Sequence, residues 1–140
     1  MPSAIYSCQT LVTKPVGPTG AVFEPIPGLT PLVIDNSFLE FGGTVAINLY
    51  LGYMYSAGGS FDFSINIIDT SFNDFVVGGF YVPGKNGLAT VVSISHAYVL
   101  GPNPPPPNLV ARWNVYPTAG VQILPVTNIS FSATVFENED

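Results

Sequence analysis

From Leu32 onward, apolar and polar positions alternate with a period of two, the pattern of strands with one buried face. In 44–55, Val45, Ile47, Leu49, Leu51, Tyr53 and Tyr55 share a face. Phe61, Phe63, Ile65 and Ile67 do the same against Asp62, Ser64 and Asn66. In 74–82, Phe75, Val77 and Tyr81 fall on one side and Val76, Phe80 and Val82 on the other. Apolar residues on both sides predict a strand buried twice, in the fold and in a subunit contact. In 88–100, the set Leu88, Thr90, Val92, Ile94, His96, Tyr98 and Leu100 is expected on the outer face. Leu109, Ala111, Trp113 and Val115 alternate with Val110, Arg112, Asn114 and Tyr116, with Trp113 expected in the core. The last strand sets Ile129, Phe131, Ala133 and Val135 against Asn128, Ser130, Ser132 and Thr134.

Between these runs lie turn-forming residues. Gly42-Gly43 offers the positive φ of a two-residue hairpin, and glycine-containing clusters stand at 57–59, 83–87 and 117–120. Prolines at 102 and 104–107 predict a stiff polyproline II loop across 101–108. No long helical period or helix cap is present. Seven to nine short strands with frequent turns predict an all-β antiparallel β-sandwich, a jelly roll, over 32–140.

The first 31 residues read differently. Pro2, Pro15, Pro18, Pro25 and Pro27 interrupt any ladder, because proline lacks a backbone donor and pushes its predecessor to extended conformations. An extended, Pro-rich N-terminal arm is expected over 1–31, with one strand near 7–13. Its Ile5, Tyr6, Leu11, Val12, Val22 and Phe23 are too apolar to float in water. The arm is expected to lie on a neighbouring subunit, with folding back on its own domain as the alternative.

Composition narrows the possible functions. Charged residues make up only 9% of the 140, with 3 basic against 9 acidic side chains and a net charge of −6. Three basic residues cannot form a nucleic-acid footprint or a polybasic membrane patch. The apolar run 45–55 is interrupted by Asn48 and Gly52 and is too short for a bilayer span. The N-terminus lacks the basic and apolar regions of a secretory signal, so the chain either needs no export or has lost a leader. A small domain leaves much of its surface facing water, and charge normally covers it. A surface of Ser, Thr, Asn, Gly, Pro and aromatic residues suits a chain flanked by copies of itself or by a host assembly.

Candidate chemistry is sparse. His96 is the only histidine, so no multi-imidazole site or proton relay is possible, and a structural role is expected. Ser93 and Ser95 point to the strand face opposite His96 and make no nucleophile–base pair with it. The single cysteine excludes an internal disulfide. Asp69, Asn73 and Asp74 offer oxygens for calcium, but their spacing fits turn formation better, as does that of Asp35-Asn36-Ser37. The match of Asn128-Ile129-Ser130 to a glycosylation sequon carries little meaning without a secretory signal. Arg112, the one basic residue inside a strand, is expected to pair with a carboxylate across a subunit contact, with Asp62 a plausible partner. No catalytic residue, metal ligand or cofactor site emerges. The candidate interface residues are Tyr6, Leu11, Val22, Phe23, Phe80, Tyr81, Tyr98 and Arg112.

Ser93-Ile94-Ser95-His96 through Leu100-Gly101, then Leu109-Val110-Ala111-Arg112-Trp113, resembles tumour-necrosis-factor/C1q-like jelly rolls of phage structural proteins and bacterial collagen-like proteins. The closing run 129–136 resembles their last strand. The resemblance covers about 44–136 and departs from the family pattern at the proline-packed loop and the arm. It implies a homotrimer with one face of each jelly roll around a threefold axis, and no catalytic residues. The expectation is a non-enzymatic structural protein of a phage particle, a capsid decoration or cement protein or a fibre head, at the virion surface. Its partners would be copies of itself and capsid or fibre proteins of the same particle, with no nucleic acid and no membrane. The alternative is an extracellular or cell-surface adhesion or carbohydrate-binding module of the same fold, using exposed Tyr and Trp residues.

Overall fold

The computed structural model describes residues 4–10, 22–56, 62–83, 89–116, 122–125 and 129–140. Their ten strands are β1 (Ala4–Thr10), β2 (Glu24–Pro25), β3 (Leu32–Val33), β4 (Gly43–Ser56), β5 (Asp62–Asp69), β6 (Phe75–Pro83), β7 (Ala89–Leu100), β8 (Asn108–Tyr116), β9 (Gln122–Pro125) and β10 (Ile129–Glu137). Among the described residues there is no α-helix, only 3-10 turns at Asn36–Leu39 and Thr70–Phe72.

The strands form two antiparallel five-stranded sheets, in the order β1-β10-β4-β7 with β9 also on β4, and β2-β8-β5-β6 with β3 also on β8. The chain crosses between sheets from β1 to β2, β3 to β4, β4 to β5, β6 to β7, β7 to β8 and β8 to β9, while β5 and β6 form a hairpin within one sheet. The result is the jelly-roll-like sandwich that the alternation predicts.

Period-two patterning accounts for the core. Val45, Ile47, Leu49 and Leu51 of β4 are buried, as are Ile129, Phe131, Ala133 and Val135 of β10. Facing them across the sandwich are Ile65 and Ile67 of β5 and Leu109, Ala111 and Trp113 of β8. Fully burying each large side chain contributes about 1.5–3 kcal/mol. Trp113, fully buried as expected, anchors one sheet, and Phe131 is fully buried in the other.

Four expectations change. A register shift between Ile67 and Ile68 turns β6, so that Gly78 and Phe80 share rows with the inward Ile67 and Ile65. Val77 is buried, yet Phe75 and Val76 are 56% and 52% exposed, so the start of β6 is not covered on both sides within this chain. A side chain at Gly78 would meet His96, Ile47 and Ile94, which explains a glycine where the sheets approach. The β7 faces are the reverse of the expected assignment. Ile94 and Leu100 are buried and Tyr98 is half-buried, while Ser93, Ser95, Ala97 and Val99 are exposed.

The arm residues are the third difference. β1 pairs along its whole length with β10 of its own chain, from Ala4↔Val135 to Thr10↔Ile129. The strand therefore begins earlier than residue 7, and residues 11–13 of the expected span lie outside the described residues. Glu24-Pro25 pairs with β8, and Ile26, 1% exposed, sits in the core. Tyr6 and Cys8 pack against the same core. The described part of the arm thus follows the alternative, completing its own sandwich. Apolar arm residues are buried most readily against the nearest open sheet edge, here that of β10.

Finally, Gly42 has φ +79°, as a turn glycine should, but it joins a 3-10 turn to β4 rather than two hairpin strands. The 101–107 loop is held by the Asn103 N–H, which donates to the Leu39 carbonyl at 3.0 Å, and by proline carbonyls, the only backbone polar group proline has. Pro104 accepts from Asn36 Nδ2 (3.2 Å), Pro106 from Ser71 Oγ (2.6 Å) and Pro107 from Ile34 N (2.8 Å).

Candidate functional site

Two of the acidic side chains singled out in the sequence, Asp69 and Asp35, serve the fold. Asp69 is fully buried at the end of β5. Its Oδ1 accepts from the backbone N–H of Ser71 (3.0 Å) and of Asn108 (3.1 Å), and its Oδ2 from the Tyr98 hydroxyl (3.1 Å). Asn73 and Asp74 adopt positive φ, so this acidic loop is a turn, as its spacing suggested. Asp35 likewise caps its 3-10 turn, accepting from Ser37 N at 2.9 Å, and that bond lowers its pKa from the ordinary carboxylate value. Among the described residues, no three His, Cys, Asp or Glu side chains gather as a metal site.

The candidate interface residues fall in separate places. Tyr6 is half-buried beside β3, and its hydroxyl accepts from Asp35 N at 3.1 Å. Val22 is 63% exposed, and its carbonyl accepts from Asn114 Nδ2 at 2.8 Å. Phe23 is half-buried beneath Arg112, whose guanidinium carbon lies 5.2 Å from the ring centroid. Tyr98 is part of the Asp69 cluster. Leu11 lies outside the described residues, as do Asn128 of the sequon and the side chains of Phe80 and Tyr81.

Within its own chain Arg112 is held by neutral groups, whereas the carboxylate expected of it belongs to a contact with another subunit. Its Nε donates to Oδ1 of Asn66, its cross-strand neighbour, at 3.0 Å, and Phe23 stacks on its other side. Asp62 stands opposite Tyr116 instead, four positions along β5. A neutral amide and a ring face satisfy the cation at the surface without a buried ion pair.

A different surface stands out, one the sequence reading did not assemble. The outer face of the β1-β10-β4-β7 sheet has four cross-strand rows. They run Phe136–Thr44–Val99, Ile5–Thr134–Ala46–Ala97, Ser7–Ser132–Asn48–Ser95 and Gln9–Ser130–Tyr50–Ser93. No position among them is charged. Small residues occupy the middle, and larger exposed ones stand toward the margins: Ile5 (69%), Val99 (76%), Phe136 (40%) and Tyr50 (41%). Period-two alternation contains this signal in Ser93-x-Ser95-x-Ala97 and Ser130-x-Ser132-x-Thr134, but only sheet order places those runs side by side. Around the end of β7, Phe72, Phe75, Tyr98, Val99, Leu100 and Gly101 line an open depression of about 420 Å³.

Fold and surface together define an all-β, jelly-roll-like sandwich whose buried polar groups hold its own strands together. In comparisons with known proteins, no family model and no curated protein matches the chain. Among solved structures it is similar to the crystal structure of the infectious bursal disease virus VP2 subviral particle, at 15% identity and a TM-score of 0.43. That alignment covers 94% of this chain but only 38% of the VP2 chain. Among the described residues, no helix is long and apolar enough to cross a membrane.

Proposed function

We propose that the chain is a non-enzymatic structural protein of a virus particle, most simply a phage capsid decoration protein or fibre head, working as a homotrimer. One observation carries the reading. Large apolar side chains stand exposed on both sheets of a chain that is only 9% charged, including Ile5, Val33, Val76 and Val99 at 52% or more. Such surfaces are covered in a working assembly more often than left in water. The sequence resemblance to tumour-necrosis-factor/C1q-like jelly rolls supports the same reading. The polar clusters at Asp69 and Arg112 are satisfied within the fold, which favours a structural over a catalytic role. Because β1 and β2 complete the chain's own sheets, this proposal assigns assembly mainly to sheet faces and leaves the latching of a neighbour to the part of the arm outside the described residues.

Quantitative mass spectrometry of particles purified from cells that carry the gene tests the proposal. The chain is expected at a fixed, repeated copy number per particle, and its absence from purified particles overturns the reading. A second reading, a sugar-binding module, draws on the exposed Tyr50, which shares its strand face with Asn48. Saturable glycan binding that is lost in Tyr50→Ala would favour it.

A further inference from the structure

We infer that Arg112, on the outer face of the β2-β8-β5-β6 sheet, is a preorganised receptor for an Asp or Glu carboxylate carried on an apolar segment of a different protein. This deepens the structural reading above by giving one sheet face a partner other than a copy of the chain. It rests on that reading for the setting in which such a partner is met.

What holds the side chain is the first argument. Arg112 is the only arginine among the 140 residues, and it projects outward between the buried Ala111 and Trp113. It stands in the cross-strand row Pro25–Arg112–Asn66–Gly79. Its Nε donates to Asn66 Oδ1 at 3.0 Å, and its guanidinium carbon lies 5.2 Å from the Phe23 ring centroid. A guanidinium carries five N–H donors in a rigid fork, and Asn66 takes the one on Nε. The two Nη groups face the surface side by side, the edge that grips a carboxylate with two parallel bonds. A mobile arginine gives up rotamer freedom to make that grip, whereas one already held by Asn66 and Phe23 has less to lose.

The acids nearest in the sheet do not serve. Glu24 stands opposite Trp113, whose side chain points inward, and Asp62 stands opposite Tyr116, so neither shares the row. The carboxylate that fits the Nη edge therefore comes from outside the sheet.

Surroundings and charge set the class of ligand. Gly79 ends the row without a side chain, although a Cβ there would meet nothing closer than 3.5 Å, so the face stays low beside Asn66. The adjoining row is Val110–Ile68–Val76, with Val76 52% exposed. On the other side, Asn114 holds Val22, which is 63% exposed. A ligand that brings apolar neighbours can cover these side chains, and an Arg braced by an aromatic ring is a common anchor at the centre of such contacts. The net charge of −6 opposes any anion, and a phosphate carrying nearly two charges meets about twice the opposition of a carboxylate. A single carboxylate flanked by apolar residues is the anion this face fits best.

The test is an NMR titration of the full chain labelled with nitrogen-15 arginine, whose Nε and Nη signals all come from Arg112. The probe is the peptide acetyl-Val-Glu-Val-amide, with its Gln counterpart as the neutral control. Saturable shifts of the Nη signals are expected, with a dissociation constant of about 1 mM or below. That is at least about tenfold tighter than labelled N-acetylarginine amide should show with the same peptide, and the Gln peptide should not saturate the site. Phe23→Ala keeps the reporter and should weaken binding at least threefold with an unchanged circular dichroism spectrum. The wild-type titration needs no substitution, so it decides the matter if that variant fails to fold. Shifts that never saturate, equal shifts with the Gln peptide, tighter saturation by inorganic phosphate, or unchanged binding in folded Phe23→Ala would each overturn the inference. None of these results alters the copy number in purified particles, which tests the structural role separately.

Discussion

The Tyr98 hydroxyl donates to Oδ2 of Asp69 at 3.1 Å, tying β7 in one sheet to the end of β5 in the other. Replacing it with Phe removes a hydrogen bond to a charged group and should cost about 1.5 kcal/mol in denaturant unfolding. The same pair predicts a pH effect. Burial foremost, then the Asp69 charge and the bond itself, raise the pKa of the Tyr98 phenol above its ordinary value. Folding therefore favours the neutral phenol. Its contribution is complete below about pH 10 and is lost as the pH rises further and the unfolded side chain ionises. The stability gap between wild type and Tyr98→Phe should narrow from pH 9 to 11, and a constant gap would contradict this.

Asp69 should matter more than Tyr98. Its carboxylate satisfies two backbone donors as well as the phenol, so Asp69→Ala leaves Ser71 N, Asn108 N and the Tyr98 hydroxyl without an acceptor. A loss of at least about 3 kcal/mol is expected, since each unsatisfied buried group costs roughly 1–3 kcal/mol. Asp69→Asn keeps one carbonyl acceptor and should fall between wild type and Asp69→Ala in urea midpoint.

Gly42→Ala tests the backbone at the entry to β4. The residue has φ +79°, and a Cβ there would stand 2.5 Å from the Leu100 carbonyl oxygen. Strain and clash together should destabilise the fold by at least about 2 kcal/mol, read as a lowered unfolding midpoint.

Arg112 and Phe23 should be coupled. A double-mutant cycle of Arg112→Ala and Phe23→Ala is expected to give about 0.5–1 kcal/mol of interaction energy, the size of a partly exposed cation–π contact. Arg112→Lys should lose much of it, because an ammonium cannot both stack flat on Phe23 and hold the Nε bond to Asn66.

The parts of this fold legible in the sequence are those where alternation is unambiguous. In β4, β8 and β10, one set is uniformly apolar, and Val45, Trp113 and Phe131 lie inside where the pattern puts them. In β7, Ile94 and Leu100 share their set with His96 and Thr90, so alternation shows that two sets oppose but not which one meets the core. The bulge at Ile67/Ile68 breaks the period that the reading of β6 assumed. Asp69 looked like any turn aspartate, because its burial depends on Tyr98 and Asn108, which are distant in sequence. The uncharged face was hidden for the same reason. Its rows join residues from opposite ends of the chain, such as Ser7 and Ser132.

The most direct test of the central claim, that the exposed apolar surfaces of this sparsely charged chain are covered by copies of itself, is the weight-average mass of wild type across a dilution series. The account predicts that wild type rises with concentration from the 14.8 kDa of one chain to three times that mass. A wild-type protein that holds the mass of a single chain at every concentration would contradict it.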